Sequence, residues 1–235
     1  MNKFLGLIGN LFTSQRAVFK KFADTYDLVY FGRMHLADED ERMVHGITVS
    51  TQHQDDHYCI GTIHGYDVIM LERTDTLKLP NTSKSEHYRW VIMQIDLKSR
   101  ADHPHVFLDG GHHNEIFYQH LFIKFARLMK VDKALFAGSD KLFNDRFTVY
   151  TPPDVVDDLP MTITPDIAAT MAHHFAHLDF EWFQDRLIVY STGRMPTVHL
   201  LDHMLRAGHW LATELDKNKT GLHQVVQPDD TIQPV

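Results

Sequence analysis

The sequence predicts an α+β fold in which antiparallel sheets form two fused lobes, with helices packed on one face and a short amphipathic helix at the N-terminus. Three observations support this prediction. Segments that alternate apolar and polar residues come in hairpin-connected groups. Segments with helical periodicity lie between and after these groups, not after every strand, which is typical of α+β proteins. The chain has 235 residues, of which 43% are hydrophobic, and this is enough to bury a sizeable core.

The first half of the chain contains the clearest hairpin. The run CIGTIHGYDVIMLE consists of two alternating segments joined at His64-Gly65, where glycine allows the positive φ of a tight turn. Further strands are expected at DLVYFGRM, RMVHGITVS, YRWVIMQIDL and HVFLD. A helix is expected at residues 14–25, with inward-facing Ala17, Phe19, Phe22 and Ala23.

The second half begins with a change to helical periodicity. Residues 114–129 carry a broad apolar stripe, and Asn114 is suited to the N-cap of a helix. A strand is expected at RFTVYT, followed by a helix that begins at Thr164-Pro165, since proline is favoured in the first turn.

The chain then closes with a hairpin and a long helix. The segments DFEWF and RLIVYST alternate and turn at Gln184-Asp185, and a helix follows Pro196 and continues to about Asp216. The organisation is therefore expected in four parts, which are a helical lead-in at 1–26, a first α+β lobe at 27–130, a second α+β lobe at 131–220 and a flexible tail at 221–235.

Charge and cysteine content restrict the classes of partner and compartment. The formal net charge is −8, which disfavours the broad basic surface that nucleic acid requires, so no nucleic-acid partner is expected. The single cysteine, Cys59, cannot form an intrachain disulfide and lies in an apolar strand pattern. A cytoplasmic location and a buried, unreactive thiol are the expectations.

The N-terminus, MNKFLGLIGNLF, is apolar but too short to span a bilayer, which takes about 20 residues. At helical spacing its apolar residues share one face, and they are Phe4, Leu5, Ile8, Leu11 and Phe12. Two interpretations stay open for residues 1–12. The segment docks on the fold, or it makes a peripheral contact with a membrane surface.

Several segments together resemble a family of uncharacterised bacterial proteins. They are GTIHGYDVIMLE, YRWVIMQIDL, HPHVFLDG, the run DKLFNDRFTVYTPPDVVDDLPMTITPDIAATMAHHF and DRLIVYSTG. The family shows a GTYxGRPV-like hairpin, an FNxxFxV segment and an LxPxxM helix. The corresponding positions here are Phe143, Asn144, Phe147, Val149, Ile163, Pro165, Thr170 and Met171. The resemblance covers about residues 43–216 and implies the fold and a frequent membrane association, with no assigned activity.

Histidines supply the candidate metal ligands. In the run HPHVFLDGGHHNEIFYQH the candidates are His103, His105, Asp109, His112 and His113. An H-x-H pair on a strand is expected to place both rings on one face, as metallo-hydrolases require. The run is similar to the HxHxDH signature of metallo-β-lactamases, but Asp109 follows the second histidine by four residues and not by two.

A second candidate lies in MAHHFAHLDFEWF. His173 and His177 have the i, i+4 spacing that places two ligands on one face of the helix that begins at Pro165. No third ligand follows from the pattern, because Asp179 and Glu181 fall on the next strand. The two interpretations are a solvated helix face and a metal site.

No phosphate-binding loop, dinucleotide-binding glycine motif or GxSxG nucleophile elbow occurs, so no catalytic or cofactor-binding residue can be named. The sequence therefore favours a non-enzymatic module that binds a protein or a small-molecule ligand. The alternative is a histidine-based protein that binds zinc or another divalent metal, or a metal-dependent hydrolase.

Overall fold

The structure is a computed structural model, and it describes residues 14–33, 53–78, 85–99, 103–110 and 127–220. Five α-helices and nine strands occur in these residues. The helices are α1 (Gln15–Tyr26), α2 (Lys141–Arg146), α3 (Leu159–Thr162), α4 (Pro165–His174) and α5 (Val198–Thr220). The strands are β1 (Val29–Gly32), β2 (His53–Ile63), β3 (Tyr66–Lys78), β4 (Ser85–Asp96), β5 (His103–Asp109), β6 (Met129–Lys130), β7 (Thr148–Thr151), β8 (Asp179–Gln184) and β9 (Arg186–Thr192). Two 3₁₀ helices lie at Lys133–Phe136 and Pro153–Asp158.

All nine strands join one sheet in the order β1-β2-β3-β4-β9-β8-β5-β7-β6, and every neighbouring pair is antiparallel. The predicted α+β class is confirmed. The strands of the two predicted lobes share this sheet and do not form separate sheets. The physical reason is that strands from the two halves of the chain pair with each other. β4 pairs with β9, and β5 lies between β8 and β7. The predicted lobe boundaries stay a prediction.

The two tight turns that the sequence predicts are present. His64 and Gly65 connect β2 to β3 with φ of 50° and 77°, and Gln184 ends β8 with φ of 54°. At His64-Gly65, positive φ at both central residues matches the right-handed twist of the flanking strands. Thr164 caps α4 as expected, since its side chain accepts a hydrogen bond from the backbone N–H of Ile167.

One face of the sheet is apolar and packs against helices. The buried residues of α1, α2, α4 and α5 belong to a single hydrophobic cluster with alternate residues of the strands, such as Leu187 and Val189 of β9. The approach of α5 is close, because a Cβ added at Gly208 would lie 2.6 Å from Cδ1 of Ile95. Among the described residues the helices therefore pack on one face, as predicted.

The opposite face has a second, smaller cluster and several buried polar groups. Ile188 and Tyr190 of β9 point to this side, where they join Phe107, Tyr150 and Trp90. The same face carries the polar groups considered below.

Five predictions of detail are corrected or fall outside the described residues. In α1, Phe19, Phe22 and Ala23 are buried as predicted, but Ala17 is exposed and Val18 is buried instead, because Val18 lies one helical turn before Phe22. The predicted helix at 114–129 cannot include its last residues, since Met129 starts β6 and Arg127 has a φ of 53°. The rest of that helix, the strand at RMVHGITVS, the N-terminal helix and the tail lie outside the described residues.

Candidate functional site

The two histidines of β5 have different surroundings. His103 is buried, and its Nε2 lies 3.2 Å from Oγ of Ser99. His105 is 27% exposed, and its Nε2 lies 2.7 Å from Oε1 of Glu181 on β8. The register of β5 against β8 shifts between His103 and Val106, where Pro104 lacks the N–H that a regular ladder needs. Each ring therefore has its own hydrogen-bond partner, and the metal-ligand role of the H-x-H pair stays a prediction.

His105 belongs to a short chain of hydrogen bonds. Glu181 is 2% exposed; its Oε1 meets His105, and its Oε2 accepts a hydrogen bond from the hydroxyl of Tyr190 on β9. The ring of Phe183 packs on His105 at 5.2 Å between centroids. A carboxylate that is hydrogen-bonded to one ring nitrogen orients the imidazole. In His105 the nitrogen that is not bonded to Glu181 is Nδ1.

Asp179 and Asp109 lie at the neighbouring strand ends. Asp179 accepts a hydrogen bond from the N–H of Gly110 at 2.9 Å and another from the hydroxyl of Thr192 at 3.3 Å. Asp109 ends β5 and is 1% exposed. A Cβ at Gly110 would lie 2.3 Å from the carbonyl oxygen of Leu178, so glycine is required where the chain leaves β5. The predicted ligand Asp109 therefore lies inside the fold.

The largest buried charge pair lies on β2 and β3. Arg73 is fully buried and forms two hydrogen bonds of 2.6 Å with the two carboxylate oxygens of Asp55. The hydroxyl of Tyr58 donates to the same carboxylate at 3.0 Å, and burial raises the pKa of Tyr58. Two parallel charge-assisted bonds between a guanidinium and a carboxylate fix the geometry of both groups and are stronger than bonds between neutral groups.

The second predicted ligand pair is separated by the end of a helix. His173 is in the last turn of α4, and its Nε2 lies 2.9 Å from Oδ2 of Asp140. Asp140 also caps α2 by accepting from the N–H of Leu142, and that bond holds the pKa of its carboxyl below the usual range. His177 lies beyond Phe175, where α4 has ended. The prediction that both share one helix face is wrong, because the chain must leave α4 to enter β8.

His112 and His113 lie outside the described residues. Within the described ranges, no group of three or more His, Cys, Asp and Glu side chains is placed to hold a metal ion. Cys59 is completely buried, as predicted, and burial raises the pKa of its thiol to about 12. Such a thiol is not a nucleophile at neutral pH.

Sequence reasoning missed the partners of the histidines. The alternation of DFEWF correctly predicts that Asp179 and Glu181 share a face, and both point away from the helices. The pairing of β8 with β5, which brings Glu181 to His105, depends on contacts 76 residues apart in the sequence. No local pattern signals it.

None of the helices in the described part of the chain is long and apolar enough to cross a membrane.

No known family model and no curated protein matches the sequence. The fold is similar to the crystal structure of the mycobacterial trehalose monomycolate transport factor A, TtfA. The TM-score is 0.54 with 11% sequence identity, and the match covers 88% of this chain and 95% of the TtfA chain. At this identity the likeness establishes the fold.

Proposed function

We propose that this protein is a non-enzymatic binding module that acts as an accessory factor at the cytoplasmic face of a membrane, where it binds a protein or a small-molecule ligand. The observation that carries the proposal is the fold shared with a transport factor over nearly the whole of both chains. We also propose that the chain is related to the uncharacterised, often membrane-associated bacterial proteins that its sequence resembles.

The buried polar groups support a structural use of the sheet. Asp55 pairs with Arg73, Glu181 accepts from Tyr190, and Asp179 accepts from Gly110 and Thr192. Each of these carboxylates bonds to a neighbouring strand or to the residue after one, so it helps to fix strand register. Buried charged groups are retained in folded proteins when they are paired in this way.

The N-terminal side of the fold supports the membrane contact. α1 begins directly after the apolar segment at residues 1–12, and Arg16, Lys20 and Lys21 are exposed along it. An apolar helix face beside basic residues is typical of proteins that rest on anionic bilayers. In this proposal residues 1–12 supply the apolar part of the contact.

Vesicle co-sedimentation of the full chain without a histidine tag tests this proposal. Deletion of residues 1–12 is expected to weaken binding to vesicles of neutral and of anionic phospholipid by at least about tenfold, since burial of each large apolar side chain contributes about 1.5–3 kcal/mol. The matched control keeps the composition of residues 1–12 but scrambles their order, which removes the apolar face, and it should bind as weakly as the deletion. Unchanged binding after deletion would contradict the membrane contact.

The second candidate function is divalent-metal binding, and the contact between His105 and Glu181 favours it. Histidines that bind a metal commonly hold a carboxylate at their other ring nitrogen. The remaining ligands would come from His103, His112 or His113. Elemental analysis of the untagged protein decides, because the leading proposal predicts far less than one zinc per chain. Stoichiometric zinc that is lost in His105→Gln, but kept in His173→Gln, would establish the second candidate.

A further inference from the structure

The start of α5 and the segments packed beside it collect basic side chains. His177, Arg194, His199 and Arg206 are exposed, and His203 is partly buried. These five residues are here called the histidine–arginine patch. His199 and His203 are one helical turn apart, so both lie on the same side of α5.

Aromatic rings lie under the patch. The ring of Phe175, which follows α4, packs against His203 at 5.6 Å and against Trp210 at 5.5 Å between centroids. Trp210 is thus covered by a residue from the same half of the chain and remains partly exposed. The ring of His203 is therefore packed against an aromatic side chain from the segment after α4.

The charges around His203 have the same sign. Burial lowers the pKa of His203 most, and Arg206, His199, Arg194 and His177 lower it further. The acidic residue next to His203 in the chain is Asp202, whose Oδ1 accepts a hydrogen bond from the hydroxyl of Tyr26 on α1 at 3.1 Å. The other acidic residues of α5, Glu214 and Asp216, lie in its C-terminal part. Among the described residues, no carboxylate forms an ion pair with Arg194 or Arg206. A bound anion would relieve this repulsion.

The first residue of α1 also lies beside the patch. Met195, next to Arg194, is 65% exposed, and its Sδ lies 3.9 Å from Nε2 of Gln15. Gln15 is the first residue of α1, so α1 begins beside Met195 and Arg194. Met195 also contacts Arg89 at 3.5 Å. Met195, an exposed apolar side chain, therefore lies beside the basic groups of the patch.

We propose that the histidine–arginine patch is a pH-sensitive contact for the anionic headgroups of a phospholipid bilayer. The inference rests on the proposed membrane role and names the lipid class and the residues that recognise it. An acidic protein would also satisfy the charges, but a bilayer in addition accommodates the exposed apolar side chain of Met195, which lies beside the first residue of α1. Anionic bilayers attract basic groups and protons alike, so the imidazoles become charged where the surface is negative.

The test uses the full untagged chain with phosphatidylcholine vesicles that contain or lack phosphatidylglycerol, at pH 5.5 and pH 7.5. The full chain should bind the anionic vesicles more tightly at pH 5.5, and binding to neutral vesicles should change little with pH. Arg194→Gln/His199→Gln should weaken anionic binding at pH 5.5 by about tenfold or more, since each basic group near the surface contributes about fivefold.

A matched variant removes one cation and one imidazole from other surfaces. Lys141→Gln/His64→Asn is expected to bind as the natural sequence does, and circular dichroism should show that both double variants are folded. Equal weakening by the two double variants, or equal binding to neutral and anionic vesicles, would overturn the patch. Binding to polyglutamate with no binding to anionic vesicles would overturn it as well and would indicate an acidic protein partner.

The failure of this inference is distinguishable from failure of the proposed function. If deletion of residues 1–12 abolishes all binding while Arg194→Gln/His199→Gln has no effect, the membrane role stands and the patch is wrong. If the deleted chain still binds anionic vesicles at pH 5.5, and loses that binding with Arg194→Gln/His199→Gln, the patch is supported without residues 1–12.

Discussion

The molecule has two regions rich in polar side chains, and they differ in how charge is arranged. On the open face of the sheet, Asp55 and Arg73 are buried and satisfy one another, and Glu181 is enclosed by His105 and Tyr190. On α5 and the loop before it, Arg194 and Arg206 collect with histidines at the surface. Opposite charges are paired in the first region, and like charges are gathered in the second.

The difference separates structural from functional use of the same residue types. A buried pair contributes to the fold only while both partners are present, because removal of one leaves a charge without solvent or counter-ion. An exposed group of like charges does not stabilise the fold, and it creates a local positive potential that attracts anions. We therefore expect substitutions in the sheet to change stability and substitutions in the patch to change binding.

The largest effect is expected for Arg73→Met. It should lower the free energy of unfolding by about 3–5 kcal/mol, because Asp55 would stay buried without its partner. Urea denaturation measures this value. The double variant Arg73→Met/Asp55→Leu should recover much of the loss. The matched control is Arg33→Met, which breaks the more exposed pair of Arg33 and Asp56 at 2.7 Å and should cost far less, because solvent screens that pair. If Arg73→Met and Arg33→Met lower the free energy of unfolding equally, burial of the ion pair does not determine its contribution to stability.

A smaller effect is expected for Glu181→Gln. The amide can still accept from Tyr190, but it replaces a charged acceptor with a neutral one, so the loss should be about 1–2 kcal/mol. Glu214→Gln makes the same chemical change at the surface pair with Lys217 and should change stability by less than about 0.5 kcal/mol. If thermal and urea denaturation give the same value for both variants, the chain through His105 has no structural role.

The smallest effect is a gradual dependence of stability on pH. Burial lowers the pKa of His57, His203 and His209 below the ordinary value of 6.5. The unfolded chain therefore binds more protons than the folded chain in the acidic range, and stability falls as pH decreases below 6.5. The loss is complete once pH is below the folded pKa values. Melting temperatures between pH 7.5 and 5 measure it, and a flat profile would show that these rings are not shielded from protonation.

Local patterns in the sequence predict local structure well. The turns at His64-Gly65 and Gln184-Asp185 and the entry to α4 at Pro165 follow from backbone preferences that act within a few residues. The order of strands does not follow from such patterns, because insertion of β5 between β8 and β7 depends on contacts between distant segments. The one continuous sheet was missed for this reason.

The candidate site is less predictable for the same reason. The spacing of His173 and His177 suggested a shared helix face, yet α4 ends at His174 because the chain must turn into β8. The spacing of His199 and His203 is the same and does hold, since α5 continues for several further turns. Whether a histidine faces Glu181 or Arg206 is decided by neighbouring elements, and sequence spacing contains no information about them.

The central claim is that the buried charge pairs support the fold, whereas the histidine–arginine patch binds anions. Its most direct test is the number of protons taken up when the chain binds anionic vesicles at pH 6.5. Calorimetry in two buffers of different ionisation enthalpy gives this number. We expect net proton uptake, because negative headgroups favour charged imidazoles in the histidine–arginine patch, and a smaller uptake for Arg194→Gln/His199→Gln. Binding with no proton uptake, or with proton release, would contradict the claim that the histidine–arginine patch binds anionic headgroups.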